Sequence, residues 1–211
     1  MRLAAERELV VDYARRLPAD RLVTATSGNL SLRCGELVAV TPSGLPYDRL
    51  TADLVPVVDL DGAPVETPAA PSTELPLHLA AYRATTAGAI VHTHSAYATA
   101  LGTVVDELPA IHYLVALLGG PVPVVPYATP GSAELADLLA AALTARSGAL
   151  LRNHGAVTVG AGLAEAYTRS LYLEELAALY ARARMLGTPA LVPEEEVAKV
   201  GELLRHYGGT R

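Results

Sequence analysis

Leu3, Leu9, Val10, Tyr13 and Leu17 recur near helical spacing and Pro18 interrupts the pattern, so the chain is predicted to begin with an amphipathic helix. Thr24 to Asn29 reads as a turn. Leu30 to Arg33 and Leu37 to Thr41 alternate around Cys34-Gly35, which predicts a hairpin, and Val55 to Leu60 with its Asp61-Gly62 turn predicts another. Helical spacing returns over Glu74 to Ala84, a short β-branched run covers Ala89 to His94, and a helix follows around Ala96 to Leu101. Strands are predicted at Val122 to Val125, Ala149 to Arg152 and Ala156 to Val159, with a helix over Ser132 to Leu143 capped by Ser132. A long helix over Leu163 to Met185 stops at Gly187 and Pro189, and a last one covers about Glu194 to Tyr207.

Hairpins mixed with intervening helices, without a repeat or linker, predict one three-layer α/β/α domain over residues 1–211. Its central sheet should be mixed and largely antiparallel, flanked by helices, with a mobile tail at 205–211. Apolar residues make up 51% of the 211 positions and charged residues 18%, enough material for one core with apolar surface left for a subunit interface. A net charge of −6 and the absence of any Lys/Arg-rich run argue against nucleic acid as a partner.

Two stretches free of Asp, Glu, Lys and Arg, Ala84 to Val105 and Leu108 to Ala133, are long enough to test as membrane spans. Repeated Pro and Gly break the second, and His92, His94, Ser95 and five threonines suit the first to a buried site rather than to lipid. The lone Cys34 and the charged beginning of the chain favour a soluble, cytoplasmic protein.

Val91-His92-Thr93-His94 is the sharpest chemical signal, because side chains two apart on a strand share a face and can reach one metal ion. Alone, the pair is equally consistent with two ordinary buried histidines. His154, in a turn beside Gly155, is the best third ligand, leaving a fourth position open as catalytic zinc requires. His78, His112 and His206 read as structural. The single lysine, Lys199, lies in a charged segment and is poorly placed for Schiff-base chemistry, so carbonyl chemistry here would need a metal. Ser27-Gly28-Asn29, Thr41-Pro42-Ser43-Gly44 and Pro71-Ser72-Thr73-Glu74 offer hydroxyl, amide and backbone N–H donors for an anion, although each is also an ordinary turn and Ser72 an ordinary N-cap. No Walker motif or complete dinucleotide fingerprint is present.

Taken in order with Pro109-Ala-Ile-His112-Tyr113 and Pro126-Tyr127-Ala-Thr129, these motifs resemble the class II, zinc-dependent aldolase/epimerase superfamily through most of the chain. The resemblance favours its aldolase branch. It implies zinc on His92, His94 and His154, with Glu74 as proton carrier and additional ligand when substrate is absent. It also implies that Gly28, Asn29, Ser43, Gly44, Ser72 and Thr73 hold a substrate phosphate. Tyr113 from a neighbouring subunit would serve the aldehyde oxygen, Tyr207 on the tail would cover the site, and the assembly would be a homotetramer with active sites between subunits. The implied reaction is reversible cleavage of a ketose 1-phosphate, of the fuculose 1-phosphate kind, into dihydroxyacetone phosphate and a small aldehyde. The superfamily also holds pentulose-phosphate 4-epimerases, a dehydratase and non-catalytic scaffolds. Epimerases typically carry Asp where this chain has Glu74, and the scaffolds lose the metal ligands retained here.

Overall fold

The computed structural model describes the backbone of residues 1–206 and the side chains through 204; Tyr207 and Gly208-Gly209 lie outside the described residues. Helix α1 (Ala4–Ala19) leads into a hairpin of β1 (Asn29–Cys34) and β2 (Leu37–Val40). A second hairpin, β3 (Val57–Asp59) and β4 (Pro64–Glu66), is followed by α2 (Leu75–Ala84), β5 (Ala89–Thr93) and α3 (Ala96–Gly102). The chain continues through β6 (Glu107–Leu108), a 3-10 turn at Tyr113–Leu118, β7 (Val122–Val125) and α4 (Ala133–Leu143). It finishes with β8 (Gly148–Leu151), β9 (Gly155–Gly160), α5 (Leu163–Leu186) and α6 (Glu194–His206).

The strands form one sheet in the order β4-β3-β2-β1-β5-β9-β8-β7-β6. All neighbours pair antiparallel except β7 and β8. Alternation along the strands sends residues to the two faces of the sheet, where they join three buried clusters. Val38, Val40, Ile90, Leu151, Val157 and Val159 pack with α2 and α4 on one face. On the other, Leu30, Ala39, Ala89 and Val91 meet α1 and the first half of α5, while Leu150 and Ala156 meet α3, the rest of α5 and Val197 of α6. The predicted three-layer α/β/α arrangement with a mixed, largely antiparallel sheet is the observed one.

The differences are local. The hairpin predicted at Asp61-Gly62 is present as β3 and β4, although no bounds were read for its return strand, and β6 was not foreseen, being too short for a period-2 pattern. Helix α2 starts at Leu75, so Glu74 rather than Ser72 is the N-cap residue; the Ser72 hydroxyl instead accepts from the Glu74 N–H at 3.2 Å. The apolar run from Ile111 to Leu118 is half committed to this chain's own core, where Val115 and Leu118 are buried in the cluster that includes Val197 of α6. No helix among the described residues is long and apolar enough to cross a membrane.

Candidate active site

One end of the sheet gathers the motifs that the sequence scatters. Antiparallel pairing sets Asn29, the first residue of β1, opposite His92 near the end of β5, and Thr93 opposite Ala156 near the start of β9. Thus the start of β1, the end of β5 and the β8–β9 turn lie together. Along β5, Ile90 packs on the α2 face, so His92 and His94, at even spacing from it, point to that same side. His154 belongs to a three-residue connection, Arg152 to His154, closed by the Leu151–Gly155 pair. Asn153 takes the left-handed conformation there (φ 55°), which asparagine tolerates better than most residues.

Two glycines permit the convergence. A Cβ at Gly155 would lie 2.1 Å from the Thr93 carbonyl oxygen and 3.0 Å from the His94 ring. A Cβ at Gly28, which has φ +73°, would lie 2.5 Å from Val23 and 2.8 Å from the His92 carbonyl oxygen. Only a residue without a side chain lets these loops approach β5 so closely.

The ligand atoms of Glu74, His92, His94 and His154 all lie within 4.8 Å of one another. The three imidazoles stand edge to face, with ring centroids 4.8 to 4.9 Å apart. Glu74 reaches between them: its Oε2 is 3.0 Å from His92 Nε2 and its Oε1 3.2 Å from His154 Nε2. His94 Nε2 is 2.9 Å from His92 Nε2.

His92 Nδ1 faces the Ala156 carbonyl at 2.9 Å and must donate to it, so in the neutral tautomer the Nε2 lone pair points toward a carboxylate oxygen and a second imidazole nitrogen. Lone pairs aimed at one another are repulsive unless a proton or a metal cation lies between them. Glu74 Oε1 is buried without a well-formed hydrogen bond, as is His154 Nδ1. Three nitrogens and one carboxylate oxygen around a common point therefore fit a divalent metal.

The electrostatics agree. Burial works to raise the Glu74 pKa, but His92, His154 and Asn29 outweigh it and hold the carboxyl well below its ordinary range. Burial, helped by His92 and His154, lowers His94 to about 4, which leaves its imidazole neutral and able to ligate near pH 7.

Asn29 is buried and its Nδ2 donates to Glu74 Oε2 at 2.8 Å. The loops carrying Ser43, Gly44, Ser72 and Thr73 are zipped to each other: Ser43 N–H donates to the Ala70 carbonyl, Ser72 N–H donates to the Thr41 carbonyl, and Pro42 bridges Pro71. Ser43, Gly44 and Thr73 are exposed on this rim while Ser72 is buried. Gly28 sits on the other side of Asn29, its carbonyl accepting from the Tyr47 hydroxyl at 2.8 Å.

Tyr113 has its ring contact with His112 rather than with the three imidazoles of the cluster. It is 47% exposed at the start of the 3-10 turn, with its ring 4.4 Å from that of His112. Tyr207 lies outside the described residues. Lys199 is exposed on α6 and paired with Glu196.

The sequence reading missed Tyr47, whose buried hydroxyl ties down the carbonyls of Ser27 and Gly28, and whose pKa is raised by burial and by nearby Glu74. It also missed Ser31 and Tyr82 beneath the site; their signal was a serine two residues from Asn29 and a tyrosine four residues from His78.

The family profile described as Class II Aldolase and Adducin N-terminal domain matches residues 8–181. The chain is 36% identical over 211 residues to a 5-deoxy-D-ribulose 1-phosphate aldolase of Bacillus thuringiensis, covering 99% of each chain. It is 35% identical over 202 residues to an L-fuculose phosphate aldolase of Escherichia coli, covering 94% of each. Among solved structures, an L-fuculose 1-phosphate aldolase superposes with a TM-score of 0.94 at 34% identity, over 97% of this chain and 98% of that one.

Proposed function

Because the chain belongs to the class II aldolase family, we propose that it is a zinc-dependent lyase that reversibly cleaves a ketose 1-phosphate into dihydroxyacetone phosphate and a small aldehyde. The observation that carries this reading is the meeting of three imidazole nitrogens with the Glu74 carboxylate beside an uncharged, donor-rich rim. Relatives named for fuculose phosphate and for 5-deoxyribulose 1-phosphate share the ketose 1-phosphate unit, and they support that substrate class.

His92, His94 and His154 would hold the zinc through Nε2, with Glu74 beside them. A cation bound there supplies positive charge against the negative charge that develops next to a carbonyl when a carbon–carbon bond breaks or forms. In the synthetic direction, the Glu74 carboxylate takes a proton from the hydroxyl-bearing carbon of dihydroxyacetone phosphate. The freed electron pair forms the new bond to the aldehyde carbon, and the aldehyde oxygen takes a proton from a tyrosine hydroxyl. Tyr113 of the partner subunit fits that role, since the Tyr113 side chain is half-exposed and free to reach a neighbouring chain. Gly28, Asn29, Ser43, Gly44, Ser72 and Thr73 bind the phosphate with N–H and hydroxyl donors at the N-terminal end of α2, so no lysine is required. The reading includes a cytoplasmic homotetramer with sites between subunits, and Tyr207 covering the aldehyde side.

The test is to load the protein with zinc and offer 6-deoxyhexulose and 5-deoxypentulose 1-phosphates, following release of dihydroxyacetone phosphate through a coupled dehydrogenase. Release should stop with a chelator and return with zinc. Epimerisation of a pentulose 5-phosphate without net release would replace the lyase reading with that of an epimerase.

A further inference from the structure

Beneath Asn29 and Glu74, on the sheet face covered by α2, lie polar groups that the reaction above leaves without a role. His78 of α2 is wholly buried. Its Nε2 lies 2.5 Å from Asn29 Oδ1 and its Nδ1 2.7 Å from Ser31 Oγ, which is 2.7 Å from the Tyr82 hydroxyl. Ser31 and Tyr82 are themselves buried. An apolar filling of this space would avoid desolvating an imidazole and two hydroxyls, so the network asks for a purpose beyond packing.

One arrangement of hydrogens satisfies every member. A carboxylate only accepts, so Asn29 must turn its NH2 to Glu74 and its carbonyl oxygen to His78. That carbonyl also only accepts, so His78 carries its hydrogen on Nε2. The neutral ring then has its lone pair on Nδ1, Ser31 donates to it, and Tyr82 donates to Ser31. The donors run one way, from Tyr82 to the Glu74 carboxylate. Burial, aided by His92 and opposed by Glu74, lowers the His78 pKa to about 3, so the ring stays neutral across the working range.

We propose that His78 is a positioning residue that acts through Asn29, fixing the amide with its NH2 toward Glu74 and so holding the carboxylate in place against the three imidazoles. A flipped amide would set a carbonyl oxygen against the carboxylate. The inference rests on the reading of Glu74 as the proton carrier.

Two measurements test it. Long-range proton–nitrogen NMR of the zinc-loaded protein should show His78 as the neutral Nε2–H tautomer from about pH 6 to 9; an Nδ1–H or charged ring overturns the proposal. In the second, His78→Leu should keep its zinc while deuterium exchange into dihydroxyacetone phosphate slows about 10-fold or more, the usual range for groups that orient a metal site. His78→Gln, which can donate to Asn29 and accept from Ser31, should recover most of that loss. Wild-type exchange in His78→Leu, or no recovery in His78→Gln, overturns the proposal. Should His78→Leu fail to fold, Ser31→Ala takes its place: it removes the hydroxyl that anchors Nδ1 and so loosens the ring behind Asn29, exchange should slow, and an unchanged rate overturns the proposal. If the wild-type protein exchanges no deuterium at all, it is the lyase reading that fails, while the NMR measurement still judges the tautomer.

Discussion

Gly155→Ala is the substitution whose consequence the structure fixes most closely. The added methyl group would sit 2.1 Å from the Thr93 carbonyl oxygen and 3.0 Å from the His94 ring. An ordinary carbon–oxygen contact is more than 3 Å, so β5 and β9 must part by on the order of 1 Å at the point where they position His92, His94 and His154. Forcing a methyl group into a packed interior costs about 1–3 kcal/mol. For a chain of this size that corresponds to a fall in Tm of roughly 2–12 °C. The metal should suffer more than the fold, because ligand distances tolerate only about 0.2 Å of error. His94 and His154 would be pushed apart by several times that margin. Zinc affinity should fall at least as far as it does on loss of an outer partner, about 10–100-fold. Competition with a chromophoric chelator measures the affinity, and thermal unfolding of the metal-free variant measures the cost to the fold. A variant that binds zinc as tightly as wild type would show that the β5–β9 approach is not what sets the ligand geometry.

The purified protein should hold about one zinc per chain by elemental analysis, and the His92→Ala/His154→Ala double variant should hold almost none; full loading of that variant would sink the ligand assignment. Glu74→Gln should remain folded and metal-bound yet slow deuterium exchange into dihydroxyacetone phosphate by roughly 100-fold or more, and an undiminished rate would remove Glu74 from proton transfer. In the metal-free protein, His94 (about 4) and His78 (about 3) both lie below their ordinary 6.5. The unfolded chain therefore takes up protons that the fold refuses, so stability is complete above about pH 6.5 and is lost as pH falls toward 4 and then 3. The lowered Glu74 carboxyl works in the same direction below its ordinary 4.5. Melting should occur at lower temperature near pH 5 than near pH 7.5, and equal midpoints would contradict the buried neutral rings. Light scattering at micromolar concentration should give four chains, and a monomer with full activity would exclude a Tyr113 supplied across an interface.

The clustered histidines were legible because their signals are local. An H-x-H pair on a β-branched run keeps its two side chains on one face whatever the rest of the fold does, and Asn153-His154-Gly155 announces a tight turn by its own composition. Helices with a long apolar stripe, α4 and α5 above all, were bounded to within a residue or so by the same local logic. What stayed hidden depends on register. That Asn29 stands opposite His92 follows from the β1–β5 pairing, and shifting that pairing by one residue would turn Asn29 and Ser31 toward α1 instead of α2. Strand β4 contains Pro64 and pairs through an irregular register with β3, and β6 is two residues long, so neither carries a period of its own.

The buried network shows the limit most sharply. His78 and Tyr82 are four apart on α2, and Asn29 and Ser31 are two apart on β1, so each pair shares a face of its own element. Either pair alone is unremarkable in sequence. Only the packing of α2 across β1 turns the two faces into one chain of hydrogen bonds that ends at Glu74. The same packing explains why Glu74 can be an N-cap residue without a capping side chain: its carboxylate is turned away from the helix end toward Asn29 and the imidazoles. An acidic group at that position would ordinarily serve the orphan N–H groups of the first turn. Here the Ser72 hydroxyl accepts the Glu74 N–H, and the carboxylate is left for the site.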